Sequence, residues 1–331
     1  MEIKAADVAK LRQMTGAGMM DCKKALVEAE GDFARAQEII REKGKLVAAK
    51  RADRETSEGA VIAKVNGGKA IVVALGCETD FVSKNAEFQA LAEAVAETAI
   101  ANFPADVEAL KACVLADGRT VEAAVTEQTG KTGEKHIIVG YEKVEAPFIS
   151  SYIHKINGKL ASVVGFSKEF DSQVAKGVAM QVASMNPVAV SAADCSQEVI
   201  DNELKVAVDK TKEELVQKAV NAALDKAGIN PAHVDSEAHI ESNTAKGWLT
   251  PEQAEQAREI IKTVSAEKAA NLPEQMVQNI AKGRLQKFFK EQTLEEQGYQ
   301  MGDGKTPVKD VIAASDKEAK ILCFKRLSLN D

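Results

Sequence analysis

Side chains that could bind a metal are few and scattered in this sequence. The four histidines form no HExxH motif and no cluster with cysteine; they are His136, His154, His233 and His239. His233 and His239 stand close together beside two acidic residues, so a metal site is one interpretation of that segment. A solvated polar loop is favoured, because the ligands of a metal must converge on one face. We therefore expect no metal site and no cofactor.

Catalytic motifs are missing where the sequence comes nearest to them. Gly130-Lys131-Thr132 looks like the end of a phosphate-binding loop, GxxxxGKS/T, but the first glycine of that motif would fall at Val125. Without that glycine the backbone cannot wrap phosphates. No GxSxG motif occurs, and no cysteine has a convincing histidine partner pattern. The sequence therefore predicts a protein that is not an enzyme.

One segment, Thr79-Asp80-Phe81-Val82, places a carboxylate next to a large aromatic ring. It lies in a predicted loop, Gly76–Asn85, between a buried strand and a helix. In one interpretation Thr79 or Asp80 caps the helix and Phe81 packs into the core. In the other, the loop displays these side chains to a partner, as rigid scaffolds often do. On the residues alone, the first interpretation is favoured.

Two further places have residues suited to contact with a partner. Met19 and Met20 follow Gly16-Ala17-Gly18 and precede Lys23. Paired methionines beside a flexible turn are either core residues or an adaptable contact surface. His154 ends a predicted strand, a position where a structural role is more common than a functional one.

The composition excludes several classes of protein. The net charge of −7 argues against a protein whose main task is binding phosphate backbones. No apolar run approaches the roughly 20 residues that span a bilayer, and the N-terminus lacks the apolar core of a signal peptide. Five scattered cysteines without a CxxC motif suit free thiols in a reducing compartment. We expect a cytoplasmic protein that binds neither membranes nor nucleic acid directly.

Residues 1–45 predict a bundle of three short helices, with Gly44 as the C-cap of the third. A basic linker, 46–58, follows within the Lys- and Arg-rich stretch Arg41–Arg54. A solvated linker is the favoured interpretation of this stretch. Nucleic-acid binding is the weaker one, because no aromatic residues interleave with the charges.

A hairpin-and-helix pattern occurs twice in the middle of the chain. The first copy turns at Asn66-Gly67 and the second at Asn157-Gly158. The pattern predicts an α+β fold with two related subdomains, each a small antiparallel sheet backed by helices. Their ranges are 59–145 for the N-terminal subdomain, and 146–195 with 291–331 for the C-terminal one. The final strand, near residues 321–327, is expected to join an earlier sheet.

Residues 196–290 are predicted to be mostly helical. Thr250-Pro251-Glu252-Gln253 is a capping box with proline at the first helical position. The apolar stripes are narrow and almost free of aromatic residues, which suits rod-like packing. We interpret this segment as an extended helical hairpin or coiled coil.

Several of these segments together resemble the bacterial elongation factor Ts family, the guanine-nucleotide exchange factors of elongation factor Tu. LRQMTGAGMMDCKKAL at residues 11–26 is similar to the family's N-terminal signature, and CETDFVSK at 77–84 to its second signature. Residues 151–154, 283–291 and 305–308 also match the family's pattern. The likeness covers residues 1–200 and 270–327 in order.

The resemblance implies a role for each matching residue. The N-terminal bundle would be a domain of the ubiquitin-associated (UBA) type that docks on factor Tu through Met19, Met20 and Lys23. Thr79, Asp80, Phe81 and Val82 would displace Mg²⁺ beside the nucleotide of factor Tu. His154 would contact a further domain of factor Tu.

The sequence departs from the family's pattern in the helical hairpin, which is extended at roughly residues 210–265. In some members this hairpin forms a homodimer, and some members continue into a C-terminal helix beyond the last strand. An alternative function is a non-catalytic adaptor that acts through the hairpin. A second rival is an RNA-binding protein that uses the basic segment 41–54.

Overall fold

A computed structural model describes residues 3–330 and divides into two compact units. The first unit contains residues up to Val190 and residues from Leu294 onward. The second unit runs Ser191–Thr293.

The first unit begins with three helices, α1 (Ala5–Thr15), α2 (Met19–Glu28) and α3 (Phe33–Lys50). Gly16 ends α1 in the left-handed conformation, with φ of 68°. The Asp32 carboxylate caps α3 by accepting hydrogen bonds from its first amides. Fully buried side chains pack between the helices, among them Leu11, Cys22, Leu26 and Ala36. The three helices predicted here are confirmed.

A three-stranded antiparallel sheet follows, in the order β1-β2-β3. Its strands are β1 (Glu58–Asn66), β2 (Lys69–Cys77) and β3 (Ile137–Glu145). Four helices lie between β2 and β3 in the chain: α4 (Asp80–Ser83), α5 (Ala86–Asn102), α6 (Val107–Ala112) and α7 (Val121–Thr132). Because side chains alternate along a strand, β2 packs Ile71 and Val73 against the helices and Ala70 and Val72 against a second sheet.

Helix α3 is longer than predicted. It passes through Gly44 and continues to Lys50, so the prediction of Gly44 as a C-cap is wrong and residues 46–50 of the predicted linker are helical. Gly44 lies where α3 meets α7, and a Cβ atom built on Gly130 would lie 2.9 Å from the Gly44 Cα. The two glycines have no side chains, which lets the backbones of the two helices approach closely.

The second copy of the pattern consists of β4 (Phe148–Ile153), β5 (Leu160–Phe166) and α8 (Ser172–Met185). Val163 of β5 faces the first sheet, whereas Val164 and Phe166 face α8. The buried Ser162 hydroxyl donates a hydrogen bond to the Ala179 carbonyl at 2.7 Å, which joins strand to helix.

The second unit is a helical hairpin. Its helices are α9 (Gln197–Lys226), α10 (Glu237–Ala245), α11 (Pro251–Ala270) and α12 (Glu274–Gln292). Helix α9 packs along both α11 and α12, and Pro273 marks the break between these two. In addition to the contacts between its long helices, the hairpin has its own small core where α9 ends. This core is built from residues such as Leu224, Ile229 and Ile240. Within residues 3–330, no helix is both long and apolar enough to cross a membrane.

The chain completes the first unit with α13 (Val308–Ser315) and β6 (Ile321–Ser328). Strand β6 pairs with β5, so the second sheet has the order β4-β5-β6. The prediction that the last strand joins an earlier sheet is confirmed. The two sheets face each other through small side chains including Ala63, Ala74 and Ala161. The core is therefore layered helix–sheet–sheet–helix, and the predicted α+β class is confirmed.

Candidate functional site

The segment with the carboxylate and the aromatic ring forms one helical turn, α4, and is not a plain loop as predicted. We call residues 79–83 the Phe81 turn. Thr79 caps it, with its hydroxyl oxygen accepting a hydrogen bond from the Val82 amide at 3.5 Å. Asn85 then caps α5 by accepting from the Glu87 amide at 2.8 Å. The turn therefore begins with its own cap just after the buried strand β2 and is followed directly by the capped helix α5.

Phe81 points into solvent. Its exposed fraction is 85%, so the interpretation that Phe81 packs into the core is wrong. Val82 packs against the core of the first sheet instead. The capping half of that interpretation is also wrong, because Asn85 caps the following helix α5, whereas Thr79 caps the turn itself. Aromatic side chains are enriched in protein interfaces, so a large exposed ring on a capped turn is a candidate contact for a partner.

Asp80 lies next to this ring and its side chain is half-exposed. Its carboxylate accepts a hydrogen bond from Lys84 at 2.7 Å, one helical turn further along. This hydrogen bond and the positive charge of Lys84 hold the pKa of Asp80 below its usual value. The Phe81 turn therefore presents an ionised carboxylate beside an apolar ring at neutral pH.

Two carboxylates fix the base of the turn, and sequence reasoning missed both interactions. Glu134 accepts hydrogen bonds from the Thr79 amide at 3.1 Å and from the Thr79 hydroxyl at 2.7 Å. Glu78 accepts from Arg51, whose Nη1 is 2.8 Å from each carboxylate oxygen. Glu78 also accepts from the Lys135 amide at 2.6 Å. The only signal in the sequence was the basic stretch that contains Arg51.

The pKa of Glu78 reflects this environment. Loss of contact with water raises the pKa by itself, but the Lys135 amide and the Arg51 guanidinium outweigh that effect and hold the pKa below its usual value. Glu78 is therefore a stable anion that joins the end of α3 to the Phe81 turn.

The methionines at the start of α2 are exposed, Met19 by 43% and Met20 by 64%. Lys23 is exposed one turn later, while Cys22 and Leu26 face the bundle core. The interpretation of the paired methionines as core residues is therefore wrong. This helix end offers a flexible apolar surface next to a positive charge.

His154 is the first residue after β4. Its amide donates to the Leu160 carbonyl at 2.8 Å, which closes the hairpin, and its Nδ1 lies 3.0 Å from the Tyr152 hydroxyl. Within residues 3–330, no hydrogen bond or ion pair joins His154, the Phe81 turn and the Met19–Lys23 surface to one another. They form three separate places on the first unit.

The other candidates for chemistry have structural explanations. In residues 3–330, no group of three or more His, Cys, Asp or Glu side chains is arranged to hold a metal ion. His239 pairs with Asp235, and the ring of His233 lies 5.5 Å from that of Trp248. Gly130-Lys131-Thr132 belongs to helix α7 rather than to a loop.

Comparisons with known proteins show the family of the chain. A family model described as Elongation factor TS matches residues 78–331. The chain is 55% identical to elongation factor Ts of Bacteroides thetaiotaomicron over 329 residues, which cover 99% of each protein. Proteins of the same name from Phocaeicola vulgatus and Porphyromonas gingivalis are 54% and 39% identical over 329 and 330 residues. The alignments run through the extended hairpin, and they include the N-terminal bundle that the family model leaves out. The chain therefore belongs to the elongation factor Ts family.

Proposed function

We propose that the protein binds GDP-bound elongation factor Tu and accelerates the release of GDP, so that GTP can replace it. Membership of the elongation factor Ts family supports an exchange-factor role. The observation that carries the proposal is the Phe81 turn, where an aromatic ring exposed by 85% stands beside an ionised carboxylate on a capped support.

In this proposal Phe81 acts as a wedge. Burial of a large apolar side chain contributes about 1.5–3 kcal/mol, which is comparable with the coupling of about 1–3 kcal/mol typical of two linked sites. If the ring inserts only where the partner has loosened its nucleotide site, this free energy favours the nucleotide-poor state. Such a factor needs no reactive group of its own.

The bound Mg²⁺ of the partner is the target of the wedge. Mg²⁺ requires nearly ideal octahedral geometry, so a small displacement of its ligands strongly weakens its binding. In this proposal Asp80 and Phe81 enter the partner together, while Thr79 caps the turn and Val82 anchors it to the core of the first sheet. By linkage, GDP or GTP must lower the affinity of the protein for factor Tu by the same factor by which the protein lowers the affinity of factor Tu for the nucleotide.

Docking is assigned to the other two places. Met19, Met20 and Lys23 form one contact, because methionine adapts to irregular surfaces. His154 forms another at the hairpin of the second sheet. Since factor Tu works in translation, we also propose a cytoplasmic location.

Stopped-flow measurement of GDP release tests the proposal. Factor Tu loaded with fluorescent GDP is mixed with excess unlabelled GDP and increasing amounts of the protein. We expect the release rate to rise to a plateau far above the spontaneous rate. A release rate that stays at the spontaneous value, with the protein shown to be folded by circular dichroism, would exclude the proposed function.

The adaptor alternative makes a different prediction. An adaptor that acts through the helical hairpin would keep its partner after removal of residues 1–90 and would leave GDP release unchanged. An exchange factor would lose its activity with the same truncation, because both the Met19–Lys23 surface and the Phe81 turn are removed.

A further inference from the structure

The Phe81 turn is tied to the N-terminal bundle by interactions between residues far apart in the sequence. Arg51, just after α3, binds Glu78 through both carboxylate oxygens. The Lys135 ammonium donates to the Ala52 and Arg54 carbonyls at 2.6 and 2.9 Å. Glu134 holds Thr79 through its amide and its hydroxyl. We call Arg51, Glu78, Glu134 and Lys135 the clamp.

The clamp spans two rigid elements. Helix α3 belongs to the bundle that carries Met19 and Met20, and it lies against α7 at the contact of Gly44 with Gly130. Helix α7 ends at Thr132, two residues before Glu134 and three before Lys135. The bundle, α7 and the Phe81 turn are therefore connected by a continuous path of backbone contacts and hydrogen bonds.

A turn as short as α4 cannot hold its own position. It has four residues, too few for a helix that is stable in isolation. Without the clamp, the segment between β2 and α5 would sample many conformations, and that freedom would be lost on binding. With the clamp, Glu78 and Thr79 are hydrogen-bonded to residues that follow α3 and α7 within three positions.

We propose that the clamp is a positioning device, which sets the Phe81 turn in register with the docking surface of the bundle. This inference rests on the proposed function. Residues of the clamp act through Phe81 and do not themselves enter the partner. Binding energy from the bundle can then drive the ring into the partner. Accurate placement of the ring matters, because displacement of a group by about 1 Å can lower a rate on the order of a hundredfold.

The test compares Glu134→Ala with Glu134→Gln and with a matched control, Glu127→Ala. Glu127 is a partly buried carboxylate in α7 that pairs with Arg119 and does not touch the turn. We expect Glu134→Ala to lower the plateau rate of GDP release on the order of tenfold to a hundredfold, with little change in the half-saturating concentration. Glu134→Gln keeps an acceptor for Thr79 and should recover part of the rate, and Glu127→Ala should keep the wild-type rate.

A double-mutant cycle with Phe81→Ala separates positioning from general damage. If Glu134 acts through Phe81, Glu134→Ala causes no further loss in a Phe81→Ala background. Losses that multiply, or a wild-type plateau for Glu134→Ala, would overturn the inference.

Hydrogen exchange in the free protein gives a readout that needs no partner. We expect faster exchange of the amides of residues 79–84 in Glu134→Ala than in wild type, with the amides of β2 unchanged. Equal exchange in the two proteins would overturn the clamp. A wild-type protein that fails to accelerate GDP release would instead overturn the proposed function and, with it, the positioning role.

Discussion

Adjacent residues in the Phe81 turn face opposite directions. Val82 packs against the core of the first sheet, while the neighbouring ring of Phe81 is exposed. Successive residues on a helix differ by about 100° in direction, so the Val82 side chain can face the core while the Phe81 side chain faces solvent. Thr79 selects this arrangement because it caps the turn and is itself held by Glu134.

His136 is a buried titratable group that directly follows the clamp residue Lys135. Its Nδ1 lies 2.9 Å from the Glu134 carbonyl, and its ring is 5.6 Å from that of Phe88. Its Nε2 is buried and makes no hydrogen bond to any residue in 3–330. Burial lowers the pKa of His136 below 6.5, despite the opposing effect of Glu134.

This shift predicts a pH dependence of stability. Between the lowered pKa of the folded state and 6.5, the unfolded chain binds a proton that the folded chain does not, so stability decreases as the pH falls through this window. The contribution of one proton is at most about 1.4 kcal/mol per pH unit. We expect His136→Phe to lose less stability than wild type between pH 7 and about pH 5.5, measured by urea unfolding with circular dichroism.

If His136→Phe and wild type lose the same stability over this range, His136 does not contribute as inferred.

The residue types of the candidate site could be identified from the sequence, but their environment could not. Thr79, Asp80 and Phe81 stood out through their local combination. Whether Phe81 is buried depends on the packing of the whole first sheet, which no local pattern records. The partners of Glu78 and Thr79 lie 27 and 55 residues away in the chain, so the basic stretch around Arg51 was interpreted as a linker.

At the scale of elements, the crossing of α3 and α7 depends on a pair of glycines whose surroundings differ. A Cβ atom on Gly130 would lie 2.9 Å from the Gly44 Cα, whereas a Cβ atom on Gly44 would have no neighbour closer than 3.6 Å. The first distance forces backbone to move, and the second is an ordinary van der Waals contact.

The two substitutions should therefore have opposite effects. Gly130→Ala should destabilise the protein by about 1–3 kcal/mol through overpacking. Gly44→Ala should be neutral or stabilise by up to about 1 kcal/mol, because alanine favours a helix interior over glycine. Urea unfolding of both variants checks the order, and a Gly130→Ala variant more stable than Gly44→Ala would show that the helices do not cross as described.

Most elements were predictable because their signals are local. Apolar periodicity, capping residues and the Asn-Gly turns located the three helices of the bundle, the two hairpins and the start of α11 to within a few residues. The end of α3 was not, since glycine usually weakens a helix, whereas α3 continues through Gly44 where it packs against Gly130 far along the chain. The small core of the hairpin, around Leu224 and Ile240, was missed because it joins residues of α9, α10 and α11 that are separate in the chain.

At the scale of the whole molecule, the hairpin is a separate unit with its own core. Backbone hydrogen bonds join the segment where the chain leaves the first unit to the segment where it returns. The Leu294 amide donates to the Ala189 carbonyl at 3.0 Å, and the Glu295 amide donates to the Val190 carbonyl at 2.9 Å. A short linker can therefore connect Val190 to Leu294 without strain.

Replacement of residues 191–293 by a short Gly/Ser linker should leave the first unit folded. Since the Met19–Lys23 surface, the Phe81 turn and His154 all lie in that unit, we expect its plateau rate of GDP release to stay within about threefold of wild type, a difference below about 1 kcal/mol. Stopped-flow release and circular dichroism check the two expectations. A folded deletion variant without exchange activity would favour the hairpin as the active element.

The most direct measurement is GDP release from factor Tu with Phe81→Ala, compared with wild type and with Leu322→Ala. Leu322 is an apolar side chain in β6 that is also largely exposed, so it controls for the loss of exposed apolar surface. The proposed function predicts that Phe81→Ala lowers the plateau rate roughly tenfold or more, as expected for the loss of about 1.5–3 kcal/mol, and that Leu322→Ala remains at the wild-type rate. A plateau rate for folded Phe81→Ala equal to that of wild type would contradict the wedge.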